Sequence, residues 1–247
     1  MPRYDFVSQR LFIDRPMGPG VVLELDRAQS NYLINVLRLK NGAPMLIFNG
    51  QEGEWEARLQ VLGRKQAALE AISQTREQTP AYDLHYLFAP IKQARLEYMV
   101  QKAVEMGAGV LQPVLTQYSQ AKKLNTTRMT AHAIEAAEQC GILTIPQINL
   151  PVSLPDMLAD FPTDRHLIFC DESDENQNPL IALKQINPGP VSLLIGPEGG
   201  FSAEERNLLR SHVNVTPIPL GPRVLRADTA AVAAIAVIQA TIGDWHD

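Results

Sequence analysis

The stretch LLIGPEGGFSAEE, residues 193–205, decides the fold. A run of strand length, residues 191–195, apolar but for Ser192, enters the loop Gly196-Pro197-Glu198-Gly199-Gly200. A helix follows, opened by Ser202 and Glu205 at the S-x-x-E spacing of a capping box. A strand that is apolar on both faces is what a covered, central parallel strand presents. The stretch PLGPRVLRADTAAVAA, residues 219–234, repeats the form: strand, Gly-Pro loop, helix. Working outward, strands are expected over residues 84–89, 110–115, 166–170 and 213–218, the last despite Pro217. Helices are expected over 92–106, 125–140, 202–211 and 227–242. That alternation predicts an α/β domain with a largely parallel sheet.

The first part of the chain has another rhythm. Residues 10–13 and 21–25 are short apolar runs, and Asp26 is a suitable N-cap for a helix carrying Leu33, Val36 and Leu37. Residues 44–48 read as a strand before Asn49-Gly50. From 55 to 61 the pattern alternates, Trp55, Ala57, Leu59 and Val61 sharing one face, and residues 65–72 are expected to pair back. A small twisted barrel closes such strands. SQTREQTP, residues 73–80, is the expected linker, so the division is drawn as 1–74 and 75–247.

With 22 Lys+Arg against 27 Asp+Glu, the chain carries a net charge of −5, which at face value disfavours a general nucleic-acid binder. Two cysteines, Cys140 and Cys170, form no disulfide framework and read as small buried residues of a reducing, cytoplasmic compartment. MPRYDFVSQR lacks a signal peptide's apolar core, and the longest apolar run, residues 230–238, falls far short of the roughly 20 residues of a membrane span. No membrane association is expected. His85, His132, His166, His212 and His246 show no metal-ligand spacing, so no metal is expected either. The acidic run from Asp171 to Glu175 reads as a solvated loop.

Three glycines, a proline and an acid at residues 196–200 are more than a bare turn requires. The loop lacks the Gly-Lys-Ser/Thr of a phosphate-binding P-loop and is no G-x-G-x-x-G; Gly107-x-Gly109 ends a helix instead of opening one. Glu198 would repel a phosphate. An uncharged or cationic ligand suits it better, and the sulfonium of S-adenosylmethionine meets that requirement. In the second loop stand Arg223 and Arg226, with Asp228 and Thr229 at the helix start, where an acid suits the dipole.

GPEGGFSAEE followed by LGPRVLRADTA resembles the SPOUT methyltransferases, and most of all the bacterial small-subunit ribosomal RNA uridine-N3 methyltransferase family (RsmE). QRLFID and NYLINVLRLKNG resemble its PUA-like RNA-binding domain, while KQARLEYMVQKAVEMG and EQCG resemble the start of its catalytic domain. The resemblance implies a PUA-like β-barrel followed by an α/β trefoil-knot domain, a homodimer, and 16S rRNA of the small ribosomal subunit as partner. It implies S-adenosylmethionine held by the loops after Cys170, at 196–200 and at 220–230. Leu194, Gly196, Pro197, Glu198, Gly199, Leu220, Gly221, Leu225, Thr229 and Ala230 would line that site. Arg226 is the implied stabiliser of the uridine anion, with Glu198 and Asp228 as proton acceptor or orienting carboxylate. The first acids after Cys170 would touch the cofactor's ribose or amino group. Arg10, Arg38, Lys92 and Arg223 are the implied RNA contacts.

Two positions depart from the family pattern: Ile142 stands where an arginine is usual, and Asp228 where glutamate is commoner. Two other readings stay open, another SPOUT reaction such as 2′-O-methylation of tRNA or rRNA, and an RNA-binding assembly factor without catalysis. The resemblance also divides the charge. Residues 1–76 hold ten Lys+Arg and eight Asp+Glu, whereas residues 77–247 hold twelve and nineteen. The acidity therefore lies in the catalytic half, and a shaped RNA particle is the expected substrate in preference to naked RNA.

Overall fold

The computed structural model describes residues 8–120, 123–172 and 178–245. The chain divides into two compact units. One comprises Met1–Pro80 with Ala137–Ile145, the other Ala81–Ala136 with Pro146–Asp247.

In the first unit, β1 (Arg10–Phe12), β2 (Val22–Glu24), β3 (Pro44–Phe48), β4 (Glu54–Gly63) and β5 (Gln66–Arg76) form one sheet in the order β1-β3-β4-β5-β2. Only β1 and β3 run parallel. The alternation read over 55–61 places Trp55, Ala57 and Leu59 in the core with Leu33, Ile47 and Leu69. Strand β5 runs to Arg76, which pairs with Glu54, so the linker expected from residue 73 begins only after it. Alternation stops at Ile72, but the backbone ladder continues through polar residues that need no buried face.

Asp26 caps α1 (Arg27–Asn31) through a reciprocal box with Gln29. The helix then widens into a π-helical turn, Tyr32–Val36, and stops at Arg38, whose φ of 56° is left-handed. The segment carrying Ile142 belongs to this unit too. There Glu138 accepts the Phe12 amide at 2.8 Å, and the Gly141 carbonyl accepts from Arg76 at 2.9 Å.

The second unit contains β6 (Leu84–Phe88), α2 (Gln93–Glu105), β7 (Val110–Leu115), α3 (Thr126–Cys140), which runs on into the first unit, β8 (Gln147–Ile148), β9 (Val152–Ser153) and α4 (Leu154–Ala159). Then come β10 (His166–Cys170), α5 (Pro179–Leu183), β11 (Val191–Ile195), α6 (Ala203–Ser211), β12 (Val215–Ile218) and α7 (Ala227–Ile242). The strand order is β12-β10-β11-β6-β7-β8, with β9 also on β7, and every pairing is parallel. Strand β11 is buried throughout, as its composition requires. Pro217 is tolerated because β12 lies at the sheet edge. Helices α4 and α6 cover one face through Leu154, Met157 and Leu209 against Leu87, Leu167, Phe169 and Leu194. Helix α7 packs on α2, α5 and β11. Its buried Gln239 donates to the Met106 carbonyl at 2.8 Å and so closes the end of α2.

Progress across the sheet reverses between β6 and β11. The chain moves from β6 out to β7 and β8, then returns to build β10, β11 and β12 on the other side. In a parallel sheet, ligands bind outside the carboxyl ends of the strands at such a reversal.

Candidate cofactor and RNA site

The loops after β10, β11 and β12 leave the same sheet edge, because all three strands are parallel neighbours. Backbone bonds fasten their roots: the Asp171 amide donates to Ile218 at 3.0 Å, joining the ends of β10 and β12, and the Ala89 amide donates to Ile195 at 2.9 Å, joining the end of β6 to that of β11.

Each glycine at 196–200 has a steric reason. A Cβ on Gly196 would lie 2.9 Å from the Phe201 ring, itself buried edge-on against Phe169 with centroids 5.8 Å apart. On Gly199 it would meet the Tyr118 Cβ at 3.1 Å, in the loop after β7. Gly200 has a φ of +68°, and a Cβ there would lie 2.9 Å from Glu172 Oε1. The glycines thus let three neighbouring loops close on one another.

Helix α6 fastens those loops. Asp171 is 1% exposed; its Oδ2 accepts from Arg210 Nη2 at 2.8 Å and Nε at 3.2 Å. Arg206 donates to Glu172 Oε1 at 2.6 Å. Glu205 closes the capping box onto Ser202 and also accepts the Gln117 amide at 2.7 Å. Asp171 is therefore buried and not a solvated acid, whereas Glu172 stays exposed beside Arg206. Ser173, Asp174 and Glu175 lie outside the described residues, as does His246. The i, i+4 spacing of Arg206 and Arg210 was the available signal. Burial also pushes the Cys170 thiol far up, reinforced by the Glu172 and Asp171 carboxylates, so it is no thiolate nucleophile.

The implied site residues fall into two groups. Leu194 and Pro197 are buried, Gly196 half-buried, and Glu198 and Gly199 exposed at the loop tip. Glu198 Oε1 lies 3.4 Å from Arg95 Nη1 of α2. In the other loop Gly221, with a φ of +84°, and Arg223 are exposed, and Leu220 and Leu225 are half-buried. Arg226 stands exposed at the N-cap of α7, where its side chain makes no capping bond. One turn in, Asp228 Oδ1 accepts the Thr229 amide at 2.9 Å, and the buried Ala230 donates its amide to Arg226 at 2.7 Å. Burial pushes the Tyr86 phenol well above its usual range, with Cys170 and Asp228 adding to the effect. Tyr86 thus lies under this site.

Of the implied RNA contacts, Lys92, Arg38 and Arg223 are exposed. Arg10 is not: it is 8% exposed, and its Nε donates to Glu54 Oε2 at 2.9 Å, an ion pair within the core of the first unit. Among the described residues, no group of three His, Cys, Asp or Glu side chains could hold a metal ion, and no helix is long and apolar enough to cross a membrane.

Residues 77–239 match the family described as an RNA methyltransferase domain, and residues 25–72 match an RNA methyltransferase PUA domain. The Synechocystis protein named Ribosomal RNA small subunit methyltransferase E is 32% identical over 235 residues, covering 92% of this chain and 77% of that protein. The chain belongs to this family. A Rickettsia conorii protein of the same name is 29% identical over 93% of this chain and 94% of its own length. A Legionella pneumophila methyltransferase, solved with bound S-adenosylmethionine, is 30% identical, with a TM-score of 0.82 over 94% of this chain and 97% of that one. The family, the parallel α/β sheet and the PUA domain are those the resemblance implied.

Proposed function

We propose that this protein methylates N3 of a uridine in 16S rRNA of the small ribosomal subunit, using S-adenosylmethionine. The observation that carries the reading is the pair of Gly-Pro loops leaving one edge of the parallel sheet, with an uncapped, exposed Arg226 at the mouth of the second. The residues fit this cofactor. The loop at 196–200 is lined by backbone, it carries the carboxylate of Glu198, and the apolar Leu194, Leu220 and Leu225 stand at the loop roots. When bound, S-adenosylmethionine supplies an electrophilic methyl group. The Legionella relative was solved with that molecule.

The protein's own task is to hold the base and manage one proton. Uridine N3 bears an imide proton and is a poor nucleophile until that proton leaves. The anion then spreads charge onto O2 and O4, so a fixed cation facing those oxygens lowers the barrier. Arg226 is that cation. Glu198 and Asp228 are the carboxylates of the two loops that take the proton or orient Arg226. Arg38, Lys92 and Arg223 meet RNA phosphates. Met1–Pro80 with Ala137–Ile145 form the RNA-binding part, and Ala81–Ala136 with Pro146–Asp247 the catalytic part. The trefoil crossing, the homodimer and the cytoplasmic setting belong to the same reading.

Calorimetric titration with S-adenosylmethionine, followed by transfer of labelled methyl to purified small subunits, tests it. Heat of binding and label in 16S rRNA are expected, with protein-free rRNA a poor acceptor. Absence of binding heat removes the cofactor from the account.

A further inference from the structure

The three cofactor loops, residues 171–178, 196–200 and 219–230, contain no aromatic residue. An RNA base drawn out of its stack needs a flat surface to replace the neighbours it has lost. Such a surface stands at the same sheet edge. Strands β11, β6 and β7 are successive and parallel, so the loops after β6 and β7 leave the sheet beside the loop at 196–200. Tyr118, in the loop after β7, is 47% exposed. A Cβ on Gly199 would meet its Cβ, Cγ and Cδ2 at 3.1, 3.4 and 3.6 Å, so the glycine makes room for this side chain. The turn that carries Tyr118 is fastened along its length. The Thr116 amide donates to the Ser119 hydroxyl at 2.8 Å, the Gln117 amide to Glu205 Oε1 at 2.7 Å, and the Gln120 amide to the Pro90 carbonyl at 3.2 Å. The last bond ties the turn to the segment that leads into the exposed Lys92. Tyr118 is thus a half-exposed ring on a fixed backbone, next to a cation. Strand order puts it on the β6–β7 side of the loop at 196–200, away from β10 and β12, whose loops complete the cofactor site.

We infer that Tyr118 is the stacking platform for a base that flanks the methylated uridine, with Lys92 on the adjoining phosphate. An aromatic ring beside a cation is the arrangement that holds unpaired RNA, because every base has a face to stack and every nucleotide a phosphate to meet. A base inside a helix has both faces covered by its neighbours. Tyr118 therefore selects an unpaired, splayed strand at the target, whatever its sequence, and holds it while the loops after β10, β11 and β12 carry out the transfer. Its contact with Gly199 fixes the distance between that strand and the cofactor loop. This role rests on the RNA methyltransferase reading above.

The test is steady-state methyl transfer to purified small subunits by the full-length protein, for wild type, Tyr118→Leu, Tyr118→Phe and Tyr118→Trp, with thermal midpoints and S-adenosylmethionine binding measured alongside. Tyr118→Leu keeps an apolar side chain over Gly199 and removes the aromatic face. It should raise KM for the subunit roughly tenfold, the effect of one lost base stack, with the change falling on KM more than on kcat. Tyr118→Phe keeps the face and should restore KM to within about twofold of wild type. The emission that Tyr118→Trp adds to that of wild type should be quenched when small subunits bind, as a stacked indole is. A KM within about twofold of wild type in folded Tyr118→Leu overturns the proposal, as does added emission that subunits leave unquenched. Weaker S-adenosylmethionine binding in Tyr118→Leu with KM for the subunit unchanged would make the ring a brace for the cofactor loop and also overturn it. No transfer by the wild type overturns the underlying reading instead.

Discussion

Replacing Arg10 with alanine separates a structural arginine from one that grips RNA. The Arg10 and Glu54 side chains are 4% and 3% exposed, and their contact is 2.9 Å. Removing one partner of a buried ion pair costs about 3–5 kcal/mol, because the other charge stays desolvated. Glu54 would keep the Thr75 hydroxyl at 2.9 Å and Arg76 at 3.4 Å. That partial compensation places the loss at the lower end, ~3 kcal/mol, or roughly a hundredfold in the folding equilibrium. The assay is urea unfolding followed by tryptophan fluorescence in a Trp245→Phe background. Trp55 then reports alone from β4, one residue from Glu54. Joint replacement, Arg10→Met with Glu54→Leu, removes both charges and should recover most of the stability, to within ~1 kcal/mol. Arg10→Ala stability within about 1 kcal/mol of wild type, with KM for the ribosomal substrate raised, would refute the core assignment.

Arg226→Ala should keep S-adenosylmethionine binding by calorimetry and abolish turnover; unchanged turnover removes Arg226 from the mechanism. Gly196→Ala drives a methyl into Phe201 and should cost about 1–3 kcal/mol while weakening cofactor binding; a neutral result would show that the loop accommodates a side chain. Asp171→Asn loosens Arg210 and Arg206 from the loop after β10, so KM for S-adenosylmethionine should rise with kcat little changed. Burial holds His85 and His166 below the usual imidazole range, with Arg165 adding to the shift at His85. The unfolded chain therefore binds more protons below about pH 6.5, and stability should fall as pH drops from 7 to 5. The double variant His85→Gln, His166→Gln should flatten that slope in urea midpoints; an equal slope would contradict the assignment.

Much of this was legible because two signals were local. Strand β11 is apolar but for Ser192, and Ser202 with Glu205 forms a reciprocal box within four residues, so the parallel sheet and its loop could be read directly. What stayed hidden depends on distant partners. Arg10 looks like any surface arginine until Glu54, 44 residues on, is placed beside it. Asp171 reads as one of an acidic run until Arg210 of α6 reaches it. Helical spacing of Leu33, Val36 and Leu37 marks a helix, but it does not say which carbonyl each amide finds, and the π-helical turn at Tyr32–Val36 left no trace in the pattern. Helices α4 and α5 have six and five residues, too few for a period to show. The three glycines pointed to the right loop, yet each is explained by a neighbouring side chain or a left-handed backbone before any ligand enters.

The most direct test is nucleoside mass spectrometry of 16S rRNA from a strain lacking this gene. The account predicts that one 3-methyluridine disappears, returns with the wild-type chain and does not return with Arg226→Ala. Loss of a ribose-methylated nucleoside instead, or of no methylated uridine at all, would contradict it.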